Sequence, residues 1–106
     1  GITISLAINY GGRSDIISAI NKILENKIFS KKIEENDFKK FTFNGDLPYP
    51  DLLIRTGGQM RLSNFLLWDL AYTELIFLDK TWPDFDKITF DDCILTYNRR
   101  VRNYGV

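Results

Sequence analysis

The chemistry that this chain could carry is concentrated in one short stretch, which reads RTGGQMRLSN. Adjacent glycines, Gly57 and Gly58, let the backbone curl so that successive N–H groups converge on an anion. Arg55 and Arg61 flank this turn, and the planar guanidinium of arginine matches phosphate oxygens bidentately. Ser63 adds a hydroxyl donor at the start of a predicted helix, whose positive dipole end favours the same anion. The stretch predicts a diphosphate pocket; the alternative is a strand–turn–helix connection whose arginines are solvated.

Two other positions carry weaker chemical signals. The segment NYGGRSD has a second glycine turn, and its Arg13 either joins the anion site or caps the sheet edge. Asp15 is expected to serve the amino end of the helix that follows. Glu74 is a lone carboxylate near the predicted pocket in sequence. It could bridge a divalent cation to a phosphate, or it could be solvated or paired with an arginine.

Composition excludes several classes of protein. The chain has 106 residues, near the size of one domain, and its 14 basic residues balance its 14 acidic ones, which argues against general nucleic-acid binding. Histidine is absent and Cys93 is the single cysteine, so neither a histidine triad nor a disulfide framework nor a cysteine zinc site is available. Catalysis would therefore use carboxylates, arginines, hydroxyls, backbone amides or a hard metal ion. No apolar run reaches the roughly 18 residues of a membrane span, and we expect a cytoplasmic protein.

The elements that must position these residues alternate between strand and helix. The predicted strands are Ile2–Asn9, which we expect to be buried, DLLIRT at 51–56 and TELIFLD at 73–79. Four helices are predicted. The first is amphipathic and capped by Ser14, with a stripe of Ile16, Ala19, Ile20, Ile23 and Leu24, and the second is a short surface helix within SKKIEENDFKKF. The third is a short helix from Ser63 or Asn64 to Tyr72, and the last is opened by Thr89 and Asp92, with Phe90, Ile94 and Tyr97 as its stripe. This order predicts an α/β fold with a parallel β-sheet flanked by helices. Ligands of such sheets bind beyond the carboxyl ends of the strands, where we expect the candidate residues Asn9, Arg13, Arg55, Arg61, Ser63 and Glu74.

The longer motifs carry a resemblance. The segments NYGGRSDI, DLLIRTGGQMRLSNFLLWDLAYTEL and WPDF, in this order and spacing, closely resemble the cis-prenyltransferase family, and most of all the bacterial undecaprenyl diphosphate synthases. The resemblance implies a homodimer with a six-stranded parallel sheet. It implies an enzyme that requires Mg²⁺ and adds isopentenyl diphosphate units to an allylic diphosphate, typically farnesyl diphosphate. The long undecaprenyl product would serve as the lipid carrier of cell-wall synthesis, with contact at the inner membrane face when it is released.

The resemblance also implies roles for individual residues. Arg55, Arg61 and Ser63 would hold isopentenyl diphosphate, Asn9 and Arg13 would contribute to substrate binding, and Glu74 would bind Mg²⁺. The chain departs from the family pattern at Gln59, at Met60 and at Asn103 in the basic C-terminal stretch.

The resemblance covers only part of a family member. It implies that residues 1–106 are the C-terminal half of a single domain, with the catalytic aspartate and the allylic diphosphate site in an N-terminal half. This segment alone should be inactive and should expose an unpaired strand edge. Alternatives are a non-catalytic partner subunit, which the retained Arg55, Arg61, Ser63 and Glu74 disfavour, and a phosphate-binding α/β module of unrelated function.

Overall fold

The structure is a computed structural model that describes residues 3–27 and 32–104. Its helices are α1 (Gly12–Asn26), α2 (Glu35–Lys39) and α3 (Lys87–Tyr104), with a 3₁₀ turn at Trp82–Asp84. Its strands are β1 (Leu52–Arg55) and β2 (Glu74–Phe77). The predicted α/β class is confirmed. None of the helices in the described ranges is long and apolar enough to cross a membrane.

The two strands form a parallel pair, as predicted. In its register Leu52 lies opposite Glu74, and Arg55 lies opposite Phe77. Each strand has four residues and is shorter than the segment predicted for it, 51–56 or 73–79. The pair therefore places Arg55 at its carboxyl end and Glu74 at its amino end.

The prediction of a buried first strand is wrong for the described residues 3–9. These residues form no strand, and Ile4, Leu6 and Ile8 are 81%, 73% and 77% exposed. Ile2 lies outside the described residues. An apolar, β-branched segment becomes a strand only when a neighbour supplies hydrogen-bond partners, and among the described residues nothing pairs with it as a strand.

The helix predicted from Ser63 or Asn64 to Tyr72 is also wrong, because this segment is a series of turns. Ser63, Asn64 and Leu66 have φ of 49°, 66° and 43°. L-residues with positive φ cannot continue a right-handed helix. The turns are held by buried Leu66 and Leu70 and by the ion pair between Lys39 Nζ and Asp69 Oδ2 at 3.5 Å, whose side chains are both buried. No helix dipole therefore acts at Ser63.

The described residues form two compact units. The first unit consists of the described residues up to Tyr49 together with Leu62–Ala71. Its core is Ala19, Ile23 and Phe38, with Trp68 packed against it. The predicted stripe of α1 is therefore correct at its centre, but its outer members Ile20 and Leu24 are exposed. The predicted surface helix within SKKIEENDFKKF is α2; its Glu35 and Asn36 are exposed, while its Phe38 and Lys39 are buried.

The second unit consists of Pro50–Arg61 and the described residues from Tyr72 onward. Helix α3 begins earlier than predicted because Asp86 caps it, accepting the backbone N–H of Thr89 at 2.8 Å and its hydroxyl at 2.7 Å. The hydroxyl bond from Thr89 lowers the pKa of Asp86. The helix buries Thr89 and Cys93, and of its predicted apolar stripe Ile94 and Tyr97 are half-buried, while Phe90 is exposed. Burial raises the pKa of the Cys93 thiol.

Candidate diphosphate site

The two arginines of the predicted pocket lie on one loop of the second unit. Arg55 is the last residue of β1, and its Nη1 donates a hydrogen bond to the backbone carbonyl of Arg61. Arg55 is half-buried and Arg61 is exposed. The guanidinium of Arg55 thus closes the loop that carries Arg61. The structure thus places the two arginines that the sequence singled out on the same loop.

The glycines between them do not form the predicted anion cradle. Gly57 and Gly58 have φ of 97° and 83°, a conformation that glycine adopts without steric cost. Their N–H groups donate to the carbonyls of Lys80 and Leu78, each at 2.8 Å. The prediction that these N–H groups converge on an anion is therefore wrong, because the chain that follows β2 accepts both bonds. The side chains of Arg55 and Arg61 remain as the candidate anion-binding groups of this loop.

Glu74 does not lie at the carboxyl edge of the strands, where we predicted it. The parallel register sets it opposite Leu52. Arg55 lies three residues further along β1, a distance along the strand of about 10 Å from Leu52 at roughly 3.3 Å per residue. Arg100 Nη1 lies 3.5 Å from Glu74 Oε2 and donates to the carbonyl of Leu75 at 2.7 Å. Glu74 is thus the partner of an arginine in this unit, one of the alternatives that the sequence left open.

A metal site is not complete within the described residues. They contain no group of three or more histidine, cysteine, aspartate or glutamate residues that could hold a metal ion. Glu74 offers carboxylate oxygens, which are the type of ligand that Mg²⁺ prefers, but a single carboxylate is not enough to form a metal site. Further ligands would have to come from a substrate diphosphate or from residues beyond those described here.

The other predicted substrate-binding residues, Asn9, Arg13 and Ser63, belong to the first unit. Asn9 is exposed, with φ of 53°. Arg13 is in the first turn of α1, and its backbone N–H donates to Asn64 Oδ1 at 2.9 Å. Its side chain is exposed. Ser63 directly precedes Asn64 and is also exposed.

Helix α1 is capped differently from the prediction. The helix begins at Gly12 with Gly11 as the N-cap residue, so the predicted cap by Ser14 is wrong. Asn64, far away in sequence, takes this role through its side chain and its backbone carbonyl, which accepts the N–H of Gly12 at 2.6 Å. Sequence analysis gave Asn64 no such role. The available signal was that asparagine is enriched at positive φ and at helix caps.

Asp15 lies in the first turn of α1, as predicted, and it also joins two loops. Its carboxylate accepts the hydroxyl of Tyr10 at 3.2 Å and the backbone N–H of Phe43 at 2.8 Å. The ring of Tyr10 packs against Phe43 and Phe65 with centroids 5.2 and 5.7 Å apart. Burial and the neighbouring Asp15 raise the pKa of Tyr10 to about 12.

These features define an α/β protein with an arginine-rich loop at the carboxyl end of a parallel strand pair. A family model described as "Putative undecaprenyl diphosphate synthase" matches residues 1–105. The chain therefore belongs to this family of prenyltransferases, as the motifs suggested.

Relatives with curated names support the same family. The chain is 49% identical over 104 residues to an isoprenyl transferase of Fusobacterium nucleatum. This match covers 98% of this chain and 44% of that protein. It is 44% identical over 109 residues to the ditrans,polycis-undecaprenyl-diphosphate synthase of Micrococcus luteus, which is named as specific for (2E,6E)-farnesyl diphosphate. This match covers 99% of this chain and 44% of that protein. The chain thus spans less than half the length of these relatives.

Solved structures show the same fold. A lavandulyl diphosphate synthase from Lavandula x intermedia, in complex with dimethylallyl diphosphate, matches with a TM-score of 0.77 and 38% identity, over 85% of this chain and 41% of that one. A probable undecaprenyl diphosphate synthase from Campylobacter jejuni matches with a TM-score of 0.74 and 35% identity, over 93% of this chain and 45% of that one.

Proposed function

We propose that this chain is the part of a cis-prenyltransferase that binds isopentenyl diphosphate, with Arg55 and Arg61 as ligands of the diphosphate. The observation that supports the proposal is the loop in which Arg55 holds the backbone of Arg61, so that two guanidiniums share one short turn at the end of β1. Guanidiniums bind phosphate oxygens through paired, charge-assisted hydrogen bonds. Membership of the prenyltransferase family supplies the substrate class.

The chemistry of the complete enzyme explains what this loop would do. The alkene of isopentenyl diphosphate attacks the carbon that bears the allylic diphosphate, so a carbon–carbon bond forms and the allylic carbon–oxygen bond breaks. Diphosphate leaves, and the five-carbon unit loses a proton. The diphosphate of isopentenyl diphosphate remains on the product, so Arg55 and Arg61 hold and orient a group that does not react. Their loss should therefore raise KM more than it lowers kcat.

The other roles belong to the same proposal for the complete protein. Ser63, Asn9 and Arg13 are further candidate ligands of the substrates, and Glu74 is a candidate Mg²⁺ ligand. The name of the Micrococcus luteus relative supports farnesyl diphosphate as the allylic substrate and undecaprenyl diphosphate as the product. A homodimer, a catalytic aspartate outside this segment, a role in cell-wall lipid carrier synthesis and contact with the membrane at product release follow from the family resemblance.

Binding of isopentenyl diphosphate by the complete gene product tests the assignment. Calorimetry without allylic substrate should give a Kd that is about 10- to 100-fold higher for Arg61→Ala, because a charge-assisted hydrogen bond contributes on the order of 1.5–3 kcal/mol. Arg55→Ala should weaken binding at least as much, since it also frees the Arg61 loop. Arg61→Lys should recover part of the loss, because lysine keeps the charge without the fork.

Lys87→Ala is the matched control, because it removes an exposed cation of the same unit, whose ion pair within the described part of the chain is with Asp91 at 2.8 Å, one helix turn away. It should leave the Kd unchanged. An unchanged Kd in both arginine-to-alanine variants rules out the assignment. Polyprenyl synthesis by the complete protein alone, supplied with both diphosphates and Mg²⁺, separately distinguishes an enzyme from a non-catalytic partner subunit.

A further inference from the structure

Asn64 makes two hydrogen bonds to the amino end of α1, although more than fifty positions separate the two segments. Its backbone carbonyl accepts the N–H of Gly12 at 2.6 Å, and its side-chain Oδ1 accepts the N–H of Arg13 at 2.9 Å. These are the first two N–H groups of α1, which have no partner within the helix. One residue therefore caps the helix from a distant part of the chain.

The contact with Asn64 requires that the two glycines of NYGGR, Gly11 and Gly12, have no side chain. A Cβ added to Gly12 would lie 2.8 Å from the carbonyl oxygen of Asn64 and 2.7 Å from Leu67 Cγ. A Cβ added to Gly11 would lie 3.0 Å from Asn64 Nδ2. Gly12 is buried and Gly11 is half-buried. The absence of side chains at Gly11 and Gly12 thus makes room for Asn64. The backbone N–H groups of Gly12 and Arg13, which could have faced an anion, are already bonded to it.

The backbone that presents Ser63 depends on the same residue. Ser63 and Asn64 have φ of 49° and 66°, and left-handed conformations are unfavourable for serine but tolerated by asparagine. A strained turn persists only where surrounding contacts fix it, and the two bonds from α1 are such contacts.

We propose that Asn64 is a positioning residue, which anchors the turn on α1 and thereby holds Ser63 in the conformation that meets the substrate diphosphate. This inference rests on the proposed function, since it gives Ser63 the role of a diphosphate ligand. Asn64 itself acts through Gly12 and Arg13 and not on the substrate.

Three substitutions separate the conformation of residue 64 from its capping bond. Asn64→Gly keeps the positive φ and the backbone bond to Gly12 but removes the side-chain acceptor. Asn64→Ala loses both the side-chain acceptor and the tolerance of positive φ. Asn64→Asp keeps an acceptor and tolerates positive φ. Asn26→Ala is the matched control, because among the described residues Asn26 Nδ2 donates to the carbonyl of Lys22, at the other end of α1.

Amide hydrogen exchange of the complete protein measures the contact without reference to activity. In Asn64→Gly the amide of Arg13 should exchange about 5- to 10-fold faster, as expected for the loss of one hydrogen bond of roughly 1 kcal/mol. The amide of Gly12 should stay protected in this variant. Asn64→Asp should restore the protection of Arg13, and Asn26→Ala should change neither amide.

Steady-state kinetics then connect the contact to the site. Asn64→Ala should raise KM for isopentenyl diphosphate by about 10-fold or more and Asn64→Gly by less, since small misplacements of a binding group are costly. KM for the allylic substrate should not change. A merely structural role would lower the active fraction and Tm and leave both KM values in place. Asn64→Gly keeps the test open if Asn64→Ala does not fold.

Two results overturn the proposal. The first is wild-type exchange at Arg13 in Asn64→Gly, which would show that the side chain does not cap α1. The second is an unchanged KM in Asn64→Ala while Arg61→Ala raises it, which would leave the substrate assignment standing and remove the role of Asn64. If neither variant raises KM, the proposed function itself is wrong and this inference fails with it.

Discussion

The chain has two glycine pairs that look alike in sequence and serve different physical needs. Gly57 and Gly58 have φ of 97° and 83°, and a Cβ on Gly57 would meet nothing within 4 Å. Gly12 is an ordinary helical residue, but a Cβ there would overlap with backbone and side-chain atoms at 2.8 and 2.7 Å. Gly57 and Gly58 require glycine because of their positive φ. Gly12 requires glycine because the segment with Asn64 and Leu67 packs too closely to leave room for a Cβ.

The comparison shows that a glycine turn does not reveal its purpose by its sequence. In both turns, backbone N–H groups are bonded to carbonyl or amide oxygens of the protein itself: those of Gly57 and Gly58 in one turn, and those of Gly12 and Arg13 in the other. What distinguishes the RTGGQ loop is its flanking arginines, which are side chains and not backbone groups. The proposed binding of a diphosphate therefore depends on guanidiniums.

The largest effect is expected for Gly12→Ala. The added methyl group must displace the Asn64 carbonyl and Leu67, and overpacking of this kind typically lowers the free energy of unfolding by about 1–3 kcal/mol. We expect the upper end of this range, because the close contact includes backbone that cannot rotate away. Urea denaturation of the complete protein measures the change. Gly11→Ala is the matched control and should be milder, since its Cβ would meet only side-chain atoms, Asn64 Nδ2 at 3.0 Å and Ser14 Oγ at 3.8 Å. Equal stability of Gly12→Ala and wild type would contradict the steric account.

A smaller effect is expected for Gly57→Ala. The substitution has open space around it, so its cost comes from the positive φ alone and should be about 1–2 kcal/mol in the same denaturation experiment. Gly57→Asn should be less destabilising than Gly57→Ala, because asparagine tolerates positive φ better than alanine does. If alanine and asparagine are equally harmful, the conformational explanation of this pair is wrong.

The smallest effect concerns Tyr10, which directly precedes Gly11. Its pKa is raised from 10.0 to about 12 by burial and by Asp15, so the folded state favours the neutral phenol. The stabilisation is complete below the unfolded pKa and is lost as the pH rises through the folded one, so the free energy of unfolding should fall between these values. Tyr10→Phe should remove this part of the alkaline dependence.

Spectrophotometric titration checks the same point directly. The difference in tyrosinate absorbance between wild type and Tyr10→Phe should appear near pH 12, and Asp15→Asn should move it to lower pH. A difference that appears near pH 10, the ordinary value, would show that neither burial nor Asp15 acts on this phenol.

Local patterns were sufficient to predict some parts of this molecule. Leu52–Arg55 and Glu74–Phe77 are short apolar runs bounded by turn-forming residues, and both form strands in the predicted parallel arrangement. The two arginines share a loop because they flank a turn only a few residues long. In these cases the residues that determine the structure are neighbours in sequence.

The failures occur where distant contacts decide. The segment from Ser63 to Tyr72 has a helix-like apolar pattern, but its turns are fixed by α1 and by the buried Lys39–Asp69 pair. Residues 3–9 have a strand-like pattern but no strand partner among the described residues, and pairing is not a local property. The parallel register, and not the spacing in sequence, places Glu74 at the strand end away from Arg55.

A crystal structure of the complete protein with isopentenyl diphosphate, without allylic substrate, tests the central claim most directly. The proposed function predicts diphosphate oxygens within about 3 Å of guanidinium nitrogens of both Arg55 and Arg61. A diphosphate bound elsewhere, with both guanidiniums facing bulk water, would contradict it.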